Sequence, residues 1–285
     1  MKDVPPIFGI PNSDGKRLAV DEEGNTCEIL GVARYQVRGS EDLIIQSPQS
    51  LLDASELDII KNILRQKDIF AWFFDFMLDA AIGPHPRNRE LDILCALPRS
   101  AVGLDPKEKP GDFDIVILPR SSRGYFLKEI MALEVKILRS RQHGRDNHPR
   151  PSGQAQAKGL LRDGFPFVGM LHIIVCEPSP KDSWQPMNKF QILNDRYEAD
   201  KLSDAEPMDT INIDTTERHF GRMQRYVDGT SIGAMTISLL LDQSGTKIIG
   251  RDLFSREIRP TRNETVNLEM LKILCHIAMD THAAT

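Results

Sequence analysis

The sequence predicts an α/β protein: a mixed central β-sheet flanked by helices, with additions at both ends. Three observations carry that expectation. Helical spacing begins at Ser55, where Leu57, Ile60, Ile63 and Leu64 share one face. Apolar runs of strand length follow, ELDILCALPRS at 90–100, DFDIVILPRSS at 112–122 and a third from about Tyr125 to Ile137. A polar helix, GQAQAKGLLRD, then separates these from a further strand, FVGMLHIIVC.

Taken in order, residues 1–54 are rich in Gly, Pro and Asp, with short alternations such as RLAV and CEILGVARYQV, and read as a turn-rich extension with a few strands. The helix from Ser55 is followed by a second, with Phe70, Phe73, Phe74, Met77, Leu78 and Ala81 at i, i+3, i+4 steps. That spacing makes the IFAWFFDF cluster a buried helix face rather than a base-stacking surface. GPHPRNR breaks the helix, and the SSRG turn joins the second strand to the third as a hairpin. Ser152 is placed to N-cap the next helix and Gly164 to end it. The core thus runs helix, three strands, helix, strand over 55–180. In the tail, 181–285, TTERHFGRMQRYVDG reads as a helix, AMTISLLLD as a strand or a buried helix, and ETVNLEMLKILCHIAMD as an amphipathic helix. The tail is expected to be a mainly helical extension packed on the core.

Composition narrows the functional classes. With 40% apolar and 27% charged residues the chain is of ordinary globular make-up. A net charge of −5 argues against coating nucleic acid by bulk electrostatics, while leaving room for a local basic cleft. Cys27, Cys95, Cys176 and Cys275 form no CxxC pair, which suits reduced structural thiols better than a zinc site. No signal-peptide pattern and no run of about 18 apolar residues is present, so a soluble, cytoplasmic protein without a membrane partner is expected. Phosphate-loop, dinucleotide-binding, nucleophile-elbow and HExxH motifs are all missing.

MALEVKILRS holds the chemistry. Of the acid-x-Lys triplets Asp14–Lys16, Asp105–Lys107 and Glu134–Lys136, the last alone sits in an apolar strand. Alternation puts Glu134 and Lys136 on one face, roughly 6.6 Å apart along the strand, with Val135 facing the other way. Asp114 opens the preceding strand, and the hairpin lets it converge with Glu134. Two such carboxylates raise one another's pKa unless a cation lies between them. Mg²⁺, or Mn²⁺, suits an all-oxygen site that retains water and accepts a phosphate oxygen. Lys136 could then hold or activate a water and offset developing negative charge.

GDFDIVIL, LEVK and a helix carrying Gln154 in SGQAQAKG together resemble the PD-(D/E)XK nuclease superfamily, whose core order is the one read above. The resemblance covers about 55–180. It implies a restriction-endonuclease-like core and metal-dependent phosphodiester hydrolysis, with DNA as the expected substrate. It makes Asp114 and Glu134 the metal ligands, joined by the backbone carbonyl of Val135. Lys136 becomes the water-positioning lysine and Gln154 a residue bordering the site. The family's Pro-Asp pair is absent, since Phe113 precedes Asp114. Asp112, two residues back, is an alternative ligand, but the apolar strand begins directly after Asp114. Some members add an acid from the first helix, a place open to Asp79 or Glu90.

A basic loop leaves the strand that carries Lys136. Arg139, Arg141, Arg145 and Arg150 stand there against the single acid Asp146, suited to phosphate contact, and Lys158 on the following helix extends the charge. His143 and His148 in the same loop read as solvated, since no further His follows at ligand spacing. Arg218, Arg222 and Arg225 lie at i, i+4, i+7 on a tail helix, a second basic stripe whose spacing is equally that of a solvated helix face. The function this favours is a Mg²⁺-dependent nuclease serving restriction, phage defence or DNA processing, as a homodimer or with a protein partner. The alternative is a non-catalytic nucleic-acid-binding or assembly module on the same core.

Overall fold

The computed structural model describes residues 10–11, 17–20, 26–29, 50–65, 90–105, 107, 111–121, 123–140, 153–192, 199–246, 248–251 and 256–283. Strands β1 (Ile10–Pro11), β2 (Arg17–Val20) and β3 (Thr26–Ile29) form a small antiparallel sheet in the N-terminal extension. The second helix expected from Phe70 to Ala81 lies outside the described residues.

The core begins with α1 (Glu56–Arg65). Ser55 caps it: its Oγ accepts the Asp58 N–H at 3.1 Å and donates to Asp58 Oδ2 at 2.7 Å. Strands β4 (Glu90–Leu97), β5 (Phe113–Ser121), β6 (Gly124–Tyr125) and β7 (Met131–Ser140) follow, then α2 (Gln154–Asp163) and β8 (Phe167–Cys176). The third predicted strand is therefore not continuous from Tyr125. The chain makes a two-residue hairpin between β5 and β6, passes through a 3-10 turn at Leu127–Glu129, and only then enters β7. Gly153 at φ 78°, not Ser152, stands at the N-cap of α2; Ser152 lies outside the described residues. Gly164 closes the helix in the left-handed conformation, as the sequence predicts, and a Cβ there would meet Asn267 N at 2.5 Å.

The tail departs most from expectation. Beyond β8 lie β9 (Gln185–Ile192) and β10 (Ala199–Met208), an antiparallel ribbon, then α3 (Ile211–Val227), β11 (Gly233–Leu241), β12 (Ile248–Arg251), β13 (Arg256–Ile258) and α4 (Leu268–Ala283). β11 pairs parallel to β8, so the tail extends the core by widening its central sheet. AMTISLLLD is a strand because all nine residues of β11 are buried, as a central parallel strand requires.

The eight-stranded sheet runs β12-β11-β8-β7-β5-β4, with β13 on β11 and β6 on β5. β5 runs antiparallel to both of its neighbours, β4 and β7, and β7, β8 and β11 are parallel. Strand alternation divides the core into two layers. Met131, Leu133, Val135 and Ile137 face the α1 side with Ile59, Ile60 and Ile63. Ala132, Met170 and Ala234 face the other side, against Leu160 of α2, Met223 of α3 and Leu271 of α4. Burying these side chains contributes about 1.5–3 kcal/mol each and fixes the register of β7.

Two buried ion pairs clamp this frame. Arg99, 1% exposed, pairs through Nη1 with Asp163 at the end of α2, and its Nη2 donates to Asp163 Oδ1 at 3.0 Å. Arg120 Nε lies 3.1 Å from Asp92 Oδ1, and the Tyr125 hydroxyl donates to Asp92 Oδ2. No described helix is long and apolar enough to cross a membrane.

Candidate active site

The register of β5 on β7 decides where the carboxylates meet. The ladder runs Ile117↔Met131, Val116↔Ala132 and Ile115↔Leu133, and stops there. One step further, the Val135 N–H donates to Asp114 Oδ2 at 2.7 Å, so a side chain takes the place of a strand partner. Two residues on, the Ile137 N–H donates to Glu56 Oε1 at 3.2 Å. The edge of β7 left open by the end of β5 is thus covered by two carboxylates, from β5 and from the first turn of α1. A strand residue sends its N–H and C=O out along the same edge, so the Val135 carbonyl leaves β7 on this side too.

Glu134 and Lys136 stand beside that edge on the α2 side of the sheet, opposite to Val135, as alternation predicts. Glu134 is 3% exposed and Lys136 19%, with Nζ 2.6 Å from Glu134 Oε1. The two form a close, charge-assisted pair that is largely buried. Gly153 closes the roof. Its left-handed φ of 78° turns the chain into α2, and a Cβ there would sit 2.9 Å from Glu134 Cγ and 3.6 Å from Lys136 Cε. Ala96, whose register position on β4 faces Asp114, holds φ 50°, a strained conformation for a residue with a Cβ.

Electrostatics follow from this crowding. Burial, reinforced by the Asp114 charge and more weakly by Glu56, pushes the Glu134 carboxyl up to about 7 against the pull of Lys136. Asp114 is likewise raised by burial and by Glu56, although the Val135 N–H and Lys136 oppose the rise. Burial alone would lower Lys136, but Glu134, Asp114 and Glu56 outweigh it, and the ammonium is held above its ordinary range. Three carboxylates and one ammonium leave the cluster short of positive charge.

The predicted site residues divide by position. Asp114, Glu134, Val135 and Lys136 come together. Asp112 is exposed at the bend before β5 and touches none of them in the contacts described above. Glu90 pairs in register with Arg120, at the far end of β5 from Asp114. Gln154 borders the site through its neighbour Gly153, but its own Nε2 donates to the Tyr226 carbonyl at 2.7 Å. Arg139 donates through Nη2 to the Ala54 carbonyl and so anchors the start of α1. Lys158 is exposed on α2. Asp79, Arg141, Arg145 and Arg150, with His143 and His148, lie outside the described residues. Glu56 is the acid that sequence reasoning missed. Its only local signal was its place in the first turn of a capped helix, which is an ordinary place for an acid.

A divalent cation can be tested against this donor set. The clustered carboxylate oxygens, with Glu134 and Asp114 both raised above their ordinary range by burial, form a donor set that fits a hard ion such as Mg²⁺. Among the described residues no three His, Cys, Asp or Glu side chains already stand at ligating distance of one point. The chain matches no family model, no curated protein and no solved structure.

Proposed function

We propose that the protein is a metal-dependent nuclease built on a restriction-endonuclease-like core, with DNA the expected substrate. The observation that carries the reading is the convergence of Asp114, Glu134 and Glu56 on the open edge of β7 beside a single ammonium. Structural ion pairs balance their charges, and this cluster does not. Asp114 and Glu134 would hold Mg²⁺ with the Val135 carbonyl. The ion supplies Lewis-acid polarisation of a phosphate oxygen and a more acidic water. Glu56 adds negative charge that favours a cation. Lys136 orients a water or phosphate oxygen by hydrogen bonding and offsets negative charge developing on the phosphoryl oxygens. The Val135 N–H fixes one oxygen of Asp114 and so orients the carboxylate beside Glu134.

The internal Glu134–Lys136 contact favours the second reading, a non-catalytic nucleic-acid-binding or assembly module in which the pair is structural. One assay separates the two. Linear duplex, circular and single-stranded DNA and RNA are incubated with Mg²⁺, Mn²⁺ or EDTA, using wild type, Asp114→Ala and Lys136→Ala. Metal-dependent cutting lost in both variants supports the nuclease. Calorimetry that detects no Mn²⁺ binding, together with no cutting, leaves only the structural pair.

A further inference from the structure

We infer that His172 is a positioning residue for Lys136: its imidazole, one strand away in register, holds the ammonium toward the side of β7 that β5 leaves open. This rests on the nuclease reading of the Asp114–Glu134–Lys136 cluster and adds the group that aims its lysine. β8 raises the question that β7 raised. Its ten residues, FVGMLHIIVC, are all buried, and His172 is the one basic side chain among them. A polar ring in the middle of a central strand is costly unless it has polar company on its own face.

Register supplies that company. β7 and β8 run parallel with Lys136 opposite His172, and β8 and β11 with His172 opposite Thr236. Leu171 and Ile173 belong to the α1-side layer together with Val135 and Ile137, and Met170 to the layer under α2 and α3. Alternation therefore puts His172 on the α2 side, the side of Glu134 and Lys136. Thr236 points the same way, since its Oγ1 donates to Met223 Sδ of α3 at 3.1 Å. Neighbouring strands stand about 4.8 Å apart, so the imidazole lies within side-chain reach of the Lys136 stem. His172 is itself buried.

Lys136 is thus confined on three sides. Glu134 Oε1 meets Nζ along the strand, Gly153 lies over Cγ and Cε, and His172 stands on the β8 flank. The β5 flank is open because the β5–β7 ladder stops at Ile115↔Leu133. An ammonium has three donors. When Glu134 turns an oxygen to a cation, a ring nitrogen of His172 remains as an acceptor that fixes one of those donors. The others are left for a water or phosphate oxygen. An aliphatic side chain fills the same space but cannot hold the ammonium.

The test compares wild type with His172→Leu, which fills the space without a polar atom, and with His172→Asn and His172→Gln, which place an amide where Nδ1 or Nε2 stood. Urea unfolding checks that each is folded. The Lys136 Cε signal is followed by carbon NMR in EDTA, assigned by its loss in Lys136→Ala. Cleavage of linear duplex DNA in Mg²⁺ gives kcat and KM, and calorimetry gives the Mn²⁺ affinity. His172→Leu is expected to shift the Lys136 signal and to lower kcat by about 10- to 100-fold, with KM and Mn²⁺ affinity unchanged. At least one amide variant is expected to recover most of that loss. A histidine that only packs the core would give the reverse order, because Leu suits an apolar interior and a buried amide does not. An unmoved Lys136 signal, or a fully active Leu variant, would overturn the inference and leave the active-site reading intact. A wild type that neither cuts nor binds Mn²⁺ overturns the nuclease reading and, with it, the role of His172 in hydrolysis; a shifted Lys136 signal then records only a packing contact.

Discussion

Glu134→Gln should make the metal-free protein more stable at alkaline pH, and the size of the effect follows from the site. In the unfolded chain the Glu134 carboxyl titrates near 4.5; in the folded protein burial and the Asp114 charge hold it at about 7. Between those values the native state keeps a proton that the unfolded state has released. Stability therefore falls as pH rises through this window, by about 1.4 kcal/mol per pH unit, or about 3 kcal/mol in all. Gln reproduces the shape and neutrality of the protonated acid, so it escapes that loss. In EDTA, urea unfolding followed from about pH 4.5 to pH 8 should give curves for wild type and variant that meet at the acid end and separate above neutrality. Mg²⁺ or Mn²⁺ should then restore wild-type stability and leave the variant unchanged, because binding to the native state alone stabilises by mass action. Parallel pH curves would refute the argument. They would mean that Lys136 fully compensates Glu134 and that no charge imbalance drives cation binding.

Three further outcomes are expected. Lys136→Ala removes the counter-ion of a buried carboxylate and should cost about 3 kcal/mol near pH 8, with little loss below pH 4.5 where Glu134 is protonated, measured by urea unfolding at both pH values. Gly153→Ala forces a Cβ into a left-handed position and to 2.9 Å from Glu134 Cγ. It should cost about 1–3 kcal/mol and lower the cleavage rate at temperatures where the variant is still folded. Glu56→Gln can keep the acceptor for the Ile137 N–H while losing the charge, so unfolding should be unaffected or slightly harder while calorimetry reads weaker Mn²⁺ binding.

These outcomes draw unequally on sequence and structure. The sequence by itself determined the elements whose cause is local. FVGMLHIIVC is β8 because a continuous apolar run of that length buries both faces, and Gly164 ends α2 because it adopts a left-handed φ at no steric cost. It also determined that Glu134 and Lys136 share a face, since the pleat repeats every second residue. The tertiary structure decided the rest. Whether Asp114 or Asp112 meets Glu134 depends on the β5–β7 register and on the ladder stopping at Ile115↔Leu133. Glu56 reaches the site because Arg139 holds the Ala54 carbonyl and α1 docks on the open edge of β7, a contact spanning some eighty residues of chain. The tail strand β11 joins the sheet because β8 presents an unfilled edge, which no pattern within AMTISLLLD can announce. Periodicity records what each residue must bury, whereas convergence depends on which distant segment arrives to be buried against it.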